Sequence, residues 1–110
     1  MRSLALALMV LPLAGCTGPL ARAESQFTQG RYPDAKQALM SLEAESRTWP
    51  DAQRAEYALY RGLTHAALGD KDQAAVWLRE AKAIEETHSG SLSREDDQRL
   101  KVGFDALGPD

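Results

Sequence analysis

The sequence is short of the residues that build covalent or metal-bound scaffolds. It has one cysteine in 110 residues, so no disulfide can form within the chain. Its two histidines, His65 and His88, are far apart, and neither has a second histidine or cysteine at the spacing of a metal site. We therefore expect no metal, no other cofactor, and a fold that depends on packing alone.

Positive charge and long apolar runs are scarce as well. The chain has 13 basic and 16 acidic residues, a formal net charge of −3. Nucleic-acid binding calls for a basic face, so we expect no nucleic-acid partner. The apolar stretch over residues 4–13 has ten residues, whereas a helix that crosses a membrane needs about 20. A permanent transmembrane helix is not expected.

Signatures of catalysis are also missing. The chain has no glycine-rich phosphate loop, no serine elbow and no calcium loop. Its neighbouring carboxylates point in different directions on a helix, and we interpret them as solvated faces or partners of helix dipoles. They are Glu43 with Glu45, Glu85 with Glu86, and residues 95–97. These absences predict a protein that is not an enzyme.

The N-terminus, by contrast, carries a clear pattern. Arg2 precedes the apolar residues 4–13, and the small residues Ala14 and Gly15 follow directly before Cys16. This order of a positive region, an apolar region and small residues is typical of a secretory signal peptide. It predicts that the chain is exported.

The last residues of that pattern resemble the lipobox of bacterial lipoproteins; they are Leu13, Ala14, Gly15 and Cys16. The resemblance implies that the Cys16 thiol carries a diacylglyceryl group, that the chain is cut before Cys16, and that the new amino terminus is acylated. Several acyl chains anchor stably, whereas one binds only marginally. We therefore expect a signal peptide over residues 1–15 and a lipidated tether over 16–19. The alternative is a buried helix with an inert cysteine.

The residue after the cysteine bears on the choice of membrane. In lipoproteins of enteric bacteria an aspartate at this position favours retention in the inner membrane, and this chain has Thr17. The resemblance therefore implies the outer membrane, on its periplasmic face, with the inner membrane as the alternative. Loss of Arg2 with the signal peptide leaves 12 basic and 16 acidic residues, a net charge near −4. No polybasic patch for anionic lipid is expected.

The remaining chain is rich in alanine, leucine, glutamate, arginine and glutamine, and its pattern predicts an all-α fold. Turn residues divide it into five predicted helices that form two antiparallel pairs and a capping helix. Thr48, Asp70 and Ser93 are the predicted N-caps of the last three. The predicted helices cover residues 20–29, 33–47, 50–68, 71–87 and 94–107.

Two stretches of the chain are similar to each other. Residues 30–39 and 69–78 share a glycine, an alanine five positions later and a leucine nine positions later. Residues 55–88 resemble a tetratricopeptide repeat, which implies close packing of helix pairs. The residues in its packing positions are Gly30, Ala35 and Leu39 in the first unit and Gly62, Gly69, Ala74, Leu78 and Ala81 in the second. Ala58, Arg61 and His65 depart from that pattern.

We therefore expect a helical domain over residues 20–107, with repeats at roughly 20–48 and 53–88 and a capping helix at 94–107. The alternative is an alanine-rich five-helix bundle whose glycines match by chance.

The resemblance also implies a concave face that binds a partner. It is lined by the first helix of each pair, through Gln26, Glu56, Leu59, Tyr60, Leu63 and Ala67. Such a face would be an apolar groove with an aromatic rim, suited to an amphipathic helix or an extended segment. The alternative for Leu59, Tyr60 and Leu63 is simple core packing.

These expectations together describe a membrane-anchored adaptor, or an assembly or piloting lipoprotein, that binds another protein of the cell envelope. One alternative is a structural lipoprotein that associates with itself through a free stacking end, because about three repeats are the norm for an independent array. Another is the regulatory subunit of a cell-wall enzyme.

Overall fold

The computed structural model describes residues 18–109, which form six helices and no strand. The all-α prediction is therefore confirmed, with one helix more than expected. The predicted signal peptide, lipobox and Cys16 lie outside the described residues. The helices are α1 (Pro19–Thr28), α2 (Tyr32–Ser41), α3 (Glu43–Ser46), α4 (Asp51–Ala67), α5 (Lys71–Thr87) and α6 (Arg94–Leu107).

Local sequence signals set most helix ends. The Gln73 N–H donates to the Asp70 carboxylate at 3.2 Å, and the Asp96 N–H donates to the Ser93 hydroxyl at 3.1 Å. Both predicted N-caps are confirmed. Gly69 follows α4 at φ +85°, in the left-handed region that glycine adopts without strain.

The predicted cap at Thr48 is wrong. Pro50 is the N-cap residue of α4, and no side chain caps that end. The Thr48 hydroxyl instead donates to the Glu45 carbonyl at 2.8 Å, behind it in the chain. A threonine that bonds backward to the preceding turn is not free to cap the helix ahead.

The second predicted helix, residues 33–47, is interrupted at Leu42. The Ser41 hydroxyl donates to the Ala38 carbonyl at 2.7 Å, and the Ser46 hydroxyl donates to the Glu43 carbonyl at 2.6 Å. Such bonds compete with the helical backbone ladder, and they flank the break on both sides. The result is a short α3 that directs Glu43 toward α4.

Helix α4 lies at the centre of the domain. It contacts α1, α2, α3, α5 and α6, whereas α1 also contacts α2, and α6 also contacts α5. Three-residue turns join α1 to α2 and α4 to α5, so each of these pairs folds back on itself. The helices are thus arranged as a first pair, α1 and α2, a second pair, α4 and α5, and a final helix, α6, that packs on the second pair.

Leu78 of α5 fills the seam where α4, α5 and α6 meet. A Cβ atom added to Gly62 of α4 would stand 2.7 Å from Leu78 Cδ2, and one added to Gly103 of α6 would stand 3.2 Å from Leu78 Cδ1. Leu78 itself has no exposed surface. The two helical glycines thus make room for one leucine, which is why α4 and α6 can both approach α5.

The residues from 18 to 109 include no helix that is both long and apolar enough to span a membrane.

Candidate functional site: the carboxyl face of α1, α4 and α6

The predicted groove residues do not form one surface. Leu59 has no exposed surface and Tyr60 is 4% exposed, so both belong to the core. Leu63 is half-buried and packs against that core, and Glu56 is half-buried, whereas Ala67 is exposed. The face therefore offers little apolar area to a partner.

Gln26 is separated from this set. It lines a shallow groove between α1 and α2 together with Arg31 and Asp34. Its Oε1 atom is buried and has no hydrogen-bond partner among the described residues. The structure thus places Gln26 on another side of α1 from the residues that approach Glu56.

Three carboxyl groups from three helices come together instead. Glu24 of α1 approaches Glu56 of α4 closely enough to share a hydrogen bond, and the charge of Asp96 on α6 acts on the same carboxyl. All three side chains are half-buried. We call Glu24, Glu56 and Asp96 the carboxyl face.

The carboxyl of Glu24 is the most perturbed group on this face. Burial, followed by the hydrogen bond and the charge of Glu56, raises the pKa of Glu24 to about 9. Its Oε2 atom is inaccessible and lacks an acceptor or donor partner within residues 18–109. At neutral pH the carboxyl therefore keeps its proton.

Asp96 is held by two neighbours. The Tyr60 hydroxyl donates to Asp96 Oδ1 at 3.3 Å, and Arg99 Nη1 donates to the same atom at 2.8 Å. The Asp96 side chain is only 13% exposed. Burial, and then the negative charge of Asp96, raise the pKa of Tyr60, so its hydroxyl remains a donor at physiological pH.

A cavity of about 350 Å³ opens beside Glu56, between the start of α1 and α4. Leu20 and Trp49 supply apolar walls, whereas Glu45 and Gln53 supply polar ones. A chain segment that crosses the carboxyl face can place a side chain here.

Glu24, Asp96 and Arg99 were not predicted as site residues. Asp96 belongs to the acidic residues 95–97, and three successive acidic residues on a helix predict a solvated face. The available signal was their placement on the first helix of each predicted pair and on the capping helix. An analysis of apolar spacing does not detect this signal, because the face consists of carboxyls that come together only after the helices pack.

A second polar cluster is buried around Arg61 of α4. Arg61, with 5% of its side chain exposed, donates through Nη1 to Glu43 Oε1 and to the Tyr57 hydroxyl, each at 2.9 Å. Its Nε donates to His65 Nε2 at 3.2 Å. The guanidinium carbon also lies 4.5 Å from the centre of the Trp77 ring.

This cluster connects four helices. The Tyr57 hydroxyl donates to the Leu39 carbonyl of α2 at 2.6 Å, while Glu43 belongs to α3 and Trp77 to α5. We call Arg61, His65, Tyr57 and Glu43 the arginine network. Two of the residues that depart from the repeat pattern, Arg61 and His65, are therefore hydrogen-bonded to each other.

The described part of the chain contains no group of three His, Cys, Asp or Glu side chains that could hold a metal ion. In comparisons with known proteins, no family model, no curated protein and no solved structure matches the chain.

Proposed function

We propose that this protein is a lipid-anchored adaptor of the bacterial cell envelope, built from tetratricopeptide-like helix pairs. The order of helix contacts supports the repeat interpretation, because the first helices of successive units, α1, α4 and α6, are neighbours, and each second helix packs on the unit that follows. The predicted packing residues Ala35, Leu39, Ala74, Leu78 and Ala81 have no exposed surface.

The partner binds through the carboxyl face. The observation that carries this proposal is that Glu24 of α1 lies near enough to Glu56 of α4 and Asp96 of α6 for their charges to act on it, while the Tyr60 hydroxyl of α4 holds Asp96 at 3.3 Å. Glu24 keeps its proton and Asp96 is paired with Arg99, so Glu56 is the carboxylate of this face that attracts a lysine or arginine side chain. The partner is therefore an envelope protein with a segment that carries at least one cationic side chain beside a small apolar one, which the cavity at Trp49 accepts.

The location follows from the lipobox. An acylated Cys16 stands two residues before Gly18, so at most about 7 Å of extended chain separates the anchor from the start of the domain. The domain is then held close to the periplasmic surface of the outer membrane. Acylation also blocks the single thiol, so the proposed role uses no thiol chemistry.

Membrane fractionation with intact-mass analysis tests the anchor. We expect wild type in the outer membrane, cleaved before Cys16 and carrying acyl chains, and we expect Cys16→Ser to be uncleaved and unacylated. The matched control is Thr17→Ser, which changes the next residue conservatively and should be processed like wild type. A wild-type protein without lipid, found in the same fraction as Cys16→Ser, overturns the proposal.

A further inference from the structure

The arginine network depends on one histidine nitrogen that cannot be protonated without breaking it. His65 Nε2 accepts the Nε–H of Arg61 at 3.2 Å. An imidazole that accepts at Nε2 carries its single proton on Nδ1, and a protonated imidazole is a donor at both nitrogens. In the protonated form, two N–H donors would face each other inside the core.

The surroundings of His65 oppose the added charge. His65 is 3% exposed, and its Nδ1 is inaccessible, with no hydrogen-bond partner in the described residues. The charged groups that act on it are Arg61 on its own helix, Lys36 on α2 and Asp70 in the turn before α5. Burial, then Arg61, lower the pKa of His65, and Lys36 acts in the same direction, whereas Asp70 opposes the shift.

The groups attached to the other side of Arg61 belong to α2 and α3. Arg61 holds Glu43 of α3 directly, and it holds α2 through the Tyr57 hydroxyl that donates to the Leu39 carbonyl. Helix α3 has only four residues and contacts α2 and α4. It therefore lacks the length to stay in place by its own hydrogen bonds.

We propose that His65 is an acid-sensitive latch, whose protonation displaces the Arg61 side chain and releases α3 and the end of α2 from α4. The segment that opens includes Glu45, and Trp49 follows it, and both line the cavity beside Glu56. Acid therefore moves one wall of the cavity, whereas Glu24, Glu56 and Asp96 lie on helices that do not move. The proposal of a latch depends only on the buried contacts of His65. It is independent of whether the carboxyl face binds a partner.

The direction in which stability changes with pH follows from the difference between the folded and unfolded pKa values of a group. A histidine whose pKa is lowered by folding contributes stability that is fully present above its unfolded value of 6.5, and this stability is lost as the pH falls. Glu24 acts in the opposite direction, because its pKa is raised from 4.5 to about 9 and its contribution weakens as the pH rises through that range. A measurement confined to α3 distinguishes the effect of His65 from that of Glu24.

The test is hydrogen exchange of the purified full chain between pH 7.5 and 5, corrected for the intrinsic pH dependence of exchange. We expect protection of the amides in residues 39–47 to fall below pH 6.5 by up to about tenfold per pH unit. His65→Gln, whose amide oxygen can still accept from Arg61, should remove this dependence. His88→Gln changes the exposed second histidine and should behave like wild type.

An NMR titration of wild type provides a second test that needs no variant. The amide signals of Glu43 and Ser46 should move with the same midpoint as the His65 ring, whereas those of α6 should not follow it. Equal pH dependence in wild type and His65→Gln, or a His65 titration that leaves α3 unchanged, overturns the latch.

Discussion

Replacing Leu78 with alanine is expected to lower the free energy of unfolding by about 3 to 4 kcal/mol. Leu78 has no exposed surface and fills the space between the two helical glycines, Gly62 and Gly103. Neither glycine has a side chain that can move into the vacated volume, so the cavity persists. Urea unfolding followed by circular dichroism measures the change. Val76→Ala on the same helix, at a site that is 52% exposed, is the matched control and should cost less than about 1 kcal/mol.

A double-mutant cycle assigns this cost to the glycine seam. Gly62→Ala alone should cost about 1 to 3 kcal/mol, because its Cβ would stand 2.7 Å from two atoms of the Leu78 side chain. In the Leu78→Ala background both side-chain contacts are gone and only the contact with the backbone nitrogen of residue 78 at 3.0 Å remains, so the cost of Gly62→Ala should shrink by at least about 1 kcal/mol. Strict additivity of the two substitutions would contradict the packing described for α4 and α5.

Replacing Arg61 with alanine is the second large effect, expected to cost about 3 kcal/mol. The substitution removes the hydrogen bonds to Glu43, Tyr57 and His65, and it leaves a void beneath Trp77. Thermal and urea unfolding at pH 7.5 measure the loss.

Arg61→Met separates the packing of this side chain from its charge. Methionine refills most of the volume, and Glu43, whose side chain is 35% exposed, can return to water once it loses its partner. We therefore expect Arg61→Met to cost about 1 kcal/mol, chiefly for the unpartnered His65 nitrogen. A loss as large as that of Arg61→Ala would show that the ionic contacts, rather than the packing, dominate.

Some features of the fold depend only on residues close together in the chain, and these could be predicted from the sequence. Asp70 and Ser93 cap their helices because each side chain reaches an N–H three residues ahead. Gly69 ends α4 because the chain there enters the left-handed region. Buried leucines such as Leu39 and Leu78 follow from helical spacing.

Other features depend on contacts between distant residues. The interruption at Leu42 follows local serine bonds, but its consequence, the pairing of Glu43 with Arg61 across 18 positions, is a tertiary contact. The carboxyl face likewise appears only when α1, α4 and α6 lie side by side. The tetratricopeptide resemblance implied that Leu59 and Tyr60 line a groove, whereas both pack into the core, which was the alternative for these residues.

Site-specific photocrosslinking in intact cells tests whether the carboxyl face binds a partner in the envelope. A photoreactive amino acid replaces either Gln53, an exposed residue of α4 one turn before Glu56, or Gln37, an exposed glutamine of α2. We expect a discrete adduct from position 53 and none from position 37. The double variant Glu56→Gln, Asp96→Asn should reduce that adduct at least fivefold. An adduct of twice the protein's own mass would support self-association instead. Crosslinking from position 37 alone, or an adduct indifferent to the two carboxyls, would contradict the claim.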